Sequence, residues 1–225
     1  MKMSNNVVLL GDSIFDNGSY LKEGEADVLG HLRRELQPFG LDATLLAQDG
    51  AVAANVFDQM ARLNDATHLV ISCGGNDALQ VRYGLYELVN LRHTPFGLVK
   101  RLVRDHPVRL LLKIRQEFLS NYKHLLQEAQ ETGLPVIVCT IYDRCPGIKR
   151  SERLFLSIFF NKIIMRQATS VGIPVIDLRA LCSEPDDYSD ASPIEPSTKG
   201  AAKIAMRIAL VVTKHNFKFP KTVIY

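Results

Sequence analysis

Short, continuously apolar runs alternate along this chain with longer segments of mixed polarity. Five such runs lie at 7–10, 43–47, 68–73, 135–140 and 173–178, and glycine, proline or aspartate stands near their ends. Runs of this length that are rich in β-branched residues are typical of strands covered on both faces, as in a parallel sheet. The pattern therefore predicts five buried parallel strands.

The segments between these runs have apolar residues at helical spacing. Helices are predicted at 27–36, 119–132, 151–171 and 197–214, and the second and third end at Gly133 and Gly172. Glycine commonly follows the C-terminus of a helix. The alternation of strands and helices predicts right-handed crossovers and an α/β/α sandwich of three layers. A length of 225 residues suits one domain, spanning 1–225.

Composition excludes several classes of function. A net charge of +3 gives no electrostatic basis for binding nucleic acid. Cys73, Cys139, Cys145 and Cys182 form no CxxC pair, so we expect neither a disulfide scaffold nor a zinc site. Neither a cofactor nor a bound metal is expected. No signal-peptide core and no apolar stretch of membrane-spanning length is present, which predicts a cytoplasmic protein.

Polar turns follow the first three predicted strands. Gly11-Asp12-Ser13 follows the first, Asp49-Gly50-Ala51 the second, and Gly74-Gly75-Asn76-Asp77 the third. In open α/β sheets, ligands bind outside the carboxyl ends of the strands. The three turns should therefore converge on one crevice, where a serine, an isolated glycine and an asparagine meet.

This set of residues suits acyl transfer. The Ser13 hydroxyl would attack a carbonyl carbon, and the backbone N–H groups of Ser13 and Gly50 with the Asn76 amide would bind the resulting oxyanion. Gly50 has no Cβ, so its backbone can approach the substrate closely. We assign Asp12 and Asp77 to substrate binding; the alternative is that they cap helices, as Asp16 and Asn17 would after Ser13.

The order and spacing of these turns resemble the SGNH superfamily of esterases and lipases, the GDSL-type hydrolases. The match runs from Val7 to about Ala209, with Ile14 where the GDSL motif has leucine, and it is similar to a bacterial branch with GDSIFDN, GGNDAL and PIEPS blocks. The resemblance implies a flavodoxin-like, five-stranded parallel sheet, a serine nucleophile and small-molecule ester substrates. It also implies the oxyanion roles of Ser13, Gly50 and Asn76.

The last block departs from that superfamily. Its Asp-x-x-His sequence supplies the base and the acid that orients the base, but Ser192 and Glu195 occupy those positions here. Glu195 could be a base whose pKa is raised by burial, or a purely structural hydrogen-bond acceptor. Alternatively, His93 or His106 could supply the base from outside the block.

Two acids near that block, Asp187 and Asp190, could orient a base or bind a cation; the alternative is a solvated acidic loop at 184–190. A basic helical insertion at about 91–116, which Pro107 divides, could contact a peripheral membrane or lipid or act as a lid. The favoured interpretation is an ordinary exposed helix pair with solvated arginines. The tail, 216–225, could add a strand or mediate an oligomer contact.

The leading hypothesis is a serine hydrolase of carboxylic esters that forms an acyl-enzyme on Ser13, with Glu195 as its base. The alternative is a catalytically silent protein of the same fold that binds an acylated or carbohydrate ligand in this crevice. The absent histidine motivates the alternative, because removing such a histidine usually lowers the rate by orders of magnitude.

Overall fold

Five parallel strands form the sheet of the computed structural model, which describes residues 5–80 and 99–225, without the side chains of 99–108 and 110. The strands are β1 (Asn6–Gly11), β2 (Asp42–Leu45), β3 (Ala66–Ser72), β4 (Val136–Cys139) and β5 (Val175–Ile176). Their order is β2-β1-β3-β4-β5. This is the flavodoxin-like order, so the predicted fold class is confirmed.

Helices cover both faces of the sheet. They are α1 (Val28–Leu36), α2 (Val56–Met60), α3 (described over 75–80), α4 (Val99–Glu131), α5 (Arg150–Leu156), α6 (Lys162–Ser170), α7 (Leu178–Leu181) and α8 (Thr198–Lys214). The helix predicted at 151–171 is interrupted by a π turn, Ser157–Asn161, which joins α5 to α6. The side chains of Asp27 and Ser197 cap the N-termini of α1 and α8.

Strict alternation along β1 divides the core into two parts. Val7 and Leu9 pack in the cluster that contains the apolar faces of α1 and α8. Val8 and Leu10 pack in the cluster that contains those of α2, α4 and α6. All four side chains are almost completely buried. A strand with both faces covered has no polar positions, which is why the sequence shows a continuous apolar run.

The basic segment has a different form from the one expected. Residues 91–98 lie outside the described part, and 99–116 form the first half of the 33-residue helix α4. The expectation that Pro107 divides two helices is wrong. Proline removes one backbone hydrogen bond, and the strong helix formers around it, leucine, arginine and lysine, let the helix continue. Among the described residues, no helix is long and apolar enough to cross a membrane.

The C-terminal tail pairs with the edge of the sheet. The Val175 N–H donates to the Val223 carbonyl over 2.9 Å, and the Tyr225 N–H donates to the Val175 carbonyl over 2.8 Å. A parallel bridge between Val175 and Ile224 results. Of the two roles expected for the tail, the structure shows the first, because the tail pairs with the edge strand β5.

Candidate active site

The end of β1 is fixed immediately before the nucleophile position. Gly11 has a φ of +130°, and a Cβ there would lie 1.7 Å from the Ser72 carbonyl oxygen, so only glycine fits. The buried Gln59 amide holds the Gly11 peptide groups: its oxygen accepts from the Gly11 N–H over 2.7 Å, and its nitrogen donates to the Gly11 carbonyl over 2.8 Å. Sequence reasoning missed Gln59, which lies 48 residues away.

Ser13 and Glu195 form a direct hydrogen bond. The Ser13 hydroxyl donates to Glu195 Oε1 over 3.0 Å, and the two residues are 6% and 5% exposed. This distance is within the reach required of a general base. The second carboxylate oxygen, Oε2, is buried and has no hydrogen-bond partner among the described residues.

Both the N–H and the carbonyl of Glu195 form backbone hydrogen bonds. Its N–H donates to the Ser192 carbonyl over 3.1 Å, and its carbonyl accepts from the Ser189 N–H over 2.8 Å. Ser192 occupies the position of the superfamily's acid, but it contributes its backbone carbonyl to this turn. The turn therefore orients Glu195 without a side-chain acid.

The residues on either side of Glu195 are held by side chains from distant segments. The Asn17 amide donates to the Pro196 carbonyl over 3.0 Å, and the buried Tyr142 hydroxyl donates to the Ile194 carbonyl. Tyr142 follows β4, and Asn17 follows the Ser13 turn. Both segments that adjoin the crevice thus fix the position of Glu195, and sequence reasoning identified neither contact.

Burial changes the acidity of the carboxyl groups around Ser13. It raises the pKa of Glu195 to about 7, against the opposing effect of the Ser13 hydrogen bond and with a further increase from Asp49. It raises the pKa of Asp12 to about 8, with smaller contributions from the charges of Glu195 and Asp77. Burial also raises the pKa of Asp77. Burial destabilises a carboxylate more than an uncharged carboxyl, so the pKa rises. No lysine or arginine lines the described part of this cavity to offset this effect.

Of the residues assigned to the oxyanion site, Asn76 lines the cavity and Gly50 lies on an exposed loop. Asn76 lines the same cavity as Ser13, and its side-chain nitrogen donates one hydrogen to the Ala51 carbonyl over 3.0 Å. An amide nitrogen carries two hydrogens, so one donor remains. Gly50 lies on the exposed loop after β2 with a φ of +78°, and a Cβ there would meet nothing within 4 Å. This left-handed backbone conformation by itself favours glycine here.

The two aspartates assigned to substrate binding also bind the protein's own backbone. Asp12 is buried and accepts from the Ile14 N–H over 3.2 Å, and it lines the cavity. Asp77 accepts from the Ala53 N–H over 2.9 Å and so fixes the loop after β2; it does not line the cavity. In the described chain, a short 3-10 helix (Gly18–Tyr20) rather than an α-helix follows the Ser13 turn, and no side chain caps it. The Asn17 side-chain oxygen instead accepts from the Val28 N–H at the start of α1 over 3.1 Å. Asp16 instead accepts from the Asp49 N–H over 2.9 Å.

The acids before Glu195 are paired with lysines. Asp187 is fully buried and lies 2.6 Å from the Lys203 ammonium, so the alternative of a solvated loop is wrong at this residue. Asp190 is exposed and pairs with Lys22 over 2.9 Å. Within residues 5–80 and 99–225, no group of three or more metal-ligating side chains could hold a metal ion. His93 and the side chain of His106 lie outside the residues that the structure describes.

A family model for GDSL-like lipases and acylhydrolases matches residues 9–203, which include Ser13, Asn76 and Glu195. The chain belongs to the GDSL-like lipase/acylhydrolase family. This membership confirms the resemblance carried by the turns after the strands, and it supports ester hydrolysis in general. No curated protein sequence matches the chain.

Solved structures of similar fold include several esterases. An acetylxylan esterase from Geobacillus stearothermophilus is 14% identical, with a TM-score of 0.62, over 96% of this chain and 98% of its own. The psychrotrophic esterase EstA from a Pseudoalteromonas species is 15% identical, with a TM-score of 0.60, over 94% and 100%. An α/β hydrolase enzyme from the metagenome of Lake Arreo, Spain, is 18% identical, with a TM-score of 0.65, over 94% and 95%. At identities of 14–18%, these similarities show that the chains share a fold.

Proposed function

We propose that this protein hydrolyses small carboxylic esters through an acyl-enzyme on Ser13, with Glu195 as the general base. The observation that carries the proposal is the buried hydrogen bond of 3.0 Å between the Ser13 hydroxyl and Glu195 Oε1. Glu195 has a raised pKa of about 7, so it is a stronger base than an ordinary carboxylate and is still about half ionised at neutral pH.

The proposed reaction has two halves. Ser13 Oγ forms a bond to the ester carbon while its proton moves to Glu195, and the oxyanion receives hydrogen bonds from the Ser13 and Gly50 N–H groups and the Asn76 amide. The alcohol then leaves with the proton held by Glu195. In the second half, a water molecule gives its proton to Glu195 and attacks the acyl carbon. The carboxylic acid leaves, and Ser13 Oγ recovers the proton.

Two structures of an acetylxylan esterase of similar fold support the proposal of a serine hydrolase. One form, with a histidine replaced by alanine, and another, with a serine replaced by alanine, are both described as catalytic mutants. The proposal equates that serine with Ser13 and places Glu195 of the PIEPS block at the position of the histidine. The proposal assigns to a buried carboxylate the proton transfers that histidine performs elsewhere.

A fluorophosphonate probe tests the proposal without requiring knowledge of the substrate. Ser13 Oγ would form a bond to phosphorus, fluoride would leave, and Glu195 would take the hydroxyl proton. We expect labelling of the wild type and of Ser170→Ala, a control on the surface of α6, and none of Ser13→Ala. The labelling rate should rise with pH, with its midpoint near the pKa of about 7.

Glu195→Gln provides the decisive variant. It keeps the shape of the side chain but has no basic oxygen, so labelling should slow by about 10²–10⁴-fold and lose its pH dependence. Labelling of Glu195→Gln at the wild-type rate would exclude Glu195 as the base. Absence of Ser13-dependent labelling in folded wild-type protein would favour the alternative, a silent protein that binds its ligand in this cavity.

A further inference from the structure

The cavity at Ser13 has a volume of about 590 Å³ and a largely apolar wall. The wall is built from α3, the segment after β4, α5 and the turn before Glu195; its larger apolar side chains include Leu79, Ile141, Ile148, Phe155, Leu156 and Ile194. We call this wall and the space that it encloses the apolar chamber. It lies beside the Ser13–Glu195 pair and is far larger than an acetyl group requires.

The strand order places the apolar chamber on one side of the nucleophile. Ser13 follows β1; β2 pairs with β1 on one side, and β3 followed by β4 on the other. The chamber is lined by segments that follow β3 and β4, while residues 48–50 after β2 are exposed. A substrate that spans Ser13 would therefore place one part in the chamber and the other toward the exposed loop. The part that departs first, the alcohol, suits the exposed side.

The polar groups of the chamber are few, and several are engaged within the protein. The charged side chains in its described lining are Asp12, Glu152 and Glu195, all acidic. The Tyr142 hydroxyl binds the Ile194 carbonyl, and Glu152 accepts from the Lys149 N–H over 2.8 Å. This lining disfavours an acyl group that carries a carboxylate or phosphate, and it has little with which to bind sugar hydroxyls.

The wall is also held in place. Asn161, in the π turn between α5 and α6, is fully buried and uses both ends of its amide on Ile141: it accepts from the N–H and donates to the carbonyl, each over 2.8 Å. Phe155 stacks on Phe159 with ring centroids 4.9 Å apart. π turns within helices are frequent at functional sites. A ligand binds more tightly to a preformed apolar wall, because no conformational entropy of the wall is lost on binding.

We propose that the substrates are esters of neutral, medium-length fatty acids, with the acyl chain in the apolar chamber and the alcohol on the side of the loop after β2. This inference rests on the proposed function of Ser13. A methylene is close in size to a water molecule, whose share of liquid volume is about 30 Å³. The cavity of about 590 Å³ therefore corresponds to roughly twenty such groups, and an ester with an acyl chain of roughly eight to ten carbons fills about half to two thirds of it.

The chain-length dependence of the rate tests this assignment. The second-order rate constant for p-nitrophenyl esters should rise about two- to fourfold per methylene from acetate to octanoate and then level off. A parallel series of acetate esters with alcohols of increasing length should be nearly flat. A flat acyl series, or a steeper alcohol series, would overturn the assignment.

A pair of variants on α5 locates the effect. Ser151 lines the cavity and Leu154 does not, and both are exposed, Leu154 by 60%. Ser151→Trp should lower the ratio of the octanoate rate to the acetate rate at least tenfold, while Leu154→Trp should leave this ratio unchanged. Equal losses with both esters in folded Ser151→Trp would contradict the proposal. Failure of Ser13 labelling by a short probe would instead refute the proposed function.

Discussion

Replacing Glu195 by glutamine should make the protein more stable at alkaline pH. Burial raises the pKa of Glu195 from 4.5 to about 7, so the folded state resists the loss of its proton. For a raised pKa, the stabilising contribution is fully present below about pH 4.5 and is lost as the pH rises through about 7. Glutamine has nearly the same shape and no charge, and it therefore escapes this loss.

The size of the effect follows from the two pKa values. The difference between a pKa of about 7 in the folded state and 4.5 in the unfolded state lowers the free energy of unfolding by roughly 3 kcal/mol at pH 9. At pH 5, where the unfolded side chain is already mostly ionised, the loss is roughly 1 kcal/mol. Relative to wild type, the free energy of unfolding of Glu195→Gln should therefore increase by roughly 2–3 kcal/mol between pH 5 and pH 9. Loss of the Glu195 charge also eases ionisation of Asp12, which acts in the same direction.

Urea unfolding at five pH values from 5 to 9 measures this gain. The m-values should agree between the proteins, so that the midpoints report stability alone. Glu35→Gln, an exposed acid on α1, serves as the control and should follow the wild type. If the curves of wild type and Glu195→Gln run parallel across the whole range, the burial of Glu195 does not raise its pKa and the reasoning fails.

Two further substitutions address the parts that hold the site. Tyr142→Phe leaves the Ile194 carbonyl without its donor, and we expect Ser13 labelling to slow about tenfold, whereas Tyr188→Phe, which loses a comparable bond to the Cys182 carbonyl, should alter stability alone. Equal labelling rates in both would remove the positioning role of Tyr142. Gly11→Ala should cost at least about 3 kcal/mol in urea unfolding, because its Cβ would overlap the Ser72 carbonyl; Gly40→Ala, at a φ of +66° with open space, should cost about 1–2 kcal/mol. Similar costs for the two would show that the overlap is relieved.

The sequence predicted the parts of the fold that repeat a simple pattern. The continuous apolar run of β1 required cover on both faces, and alternation with helices led to the parallel sheet. The convergence of turns followed from that sheet, because parallel strands end at one edge. Ser13, Asn76 and Glu195 all line the resulting cavity. Their chemical roles stay predictions.

The supports of Glu195 could not be predicted in the same way. Asn17 reaches Pro196 across 179 residues, and Tyr142 reaches Ile194 across 52. Asparagine and tyrosine have many ordinary uses, and no local spacing marks these contacts. The depth at which Asp187 is buried was equally invisible, because an acidic loop and a buried ion pair with Lys203 have the same local composition.

The hydrogen bond between Ser13 and Glu195 joins residues 182 positions apart in the chain. The segment that carries Ser13 is synthesised well before the segment that carries Glu195. A growing chain can therefore complete β1 and most of the sheet long before the nucleophile meets its partner. Contacts of such long range form at a high entropic cost and slow folding. The pairing of Ser13 with Glu195 is thus completed only after the intervening strands and helices have been synthesised.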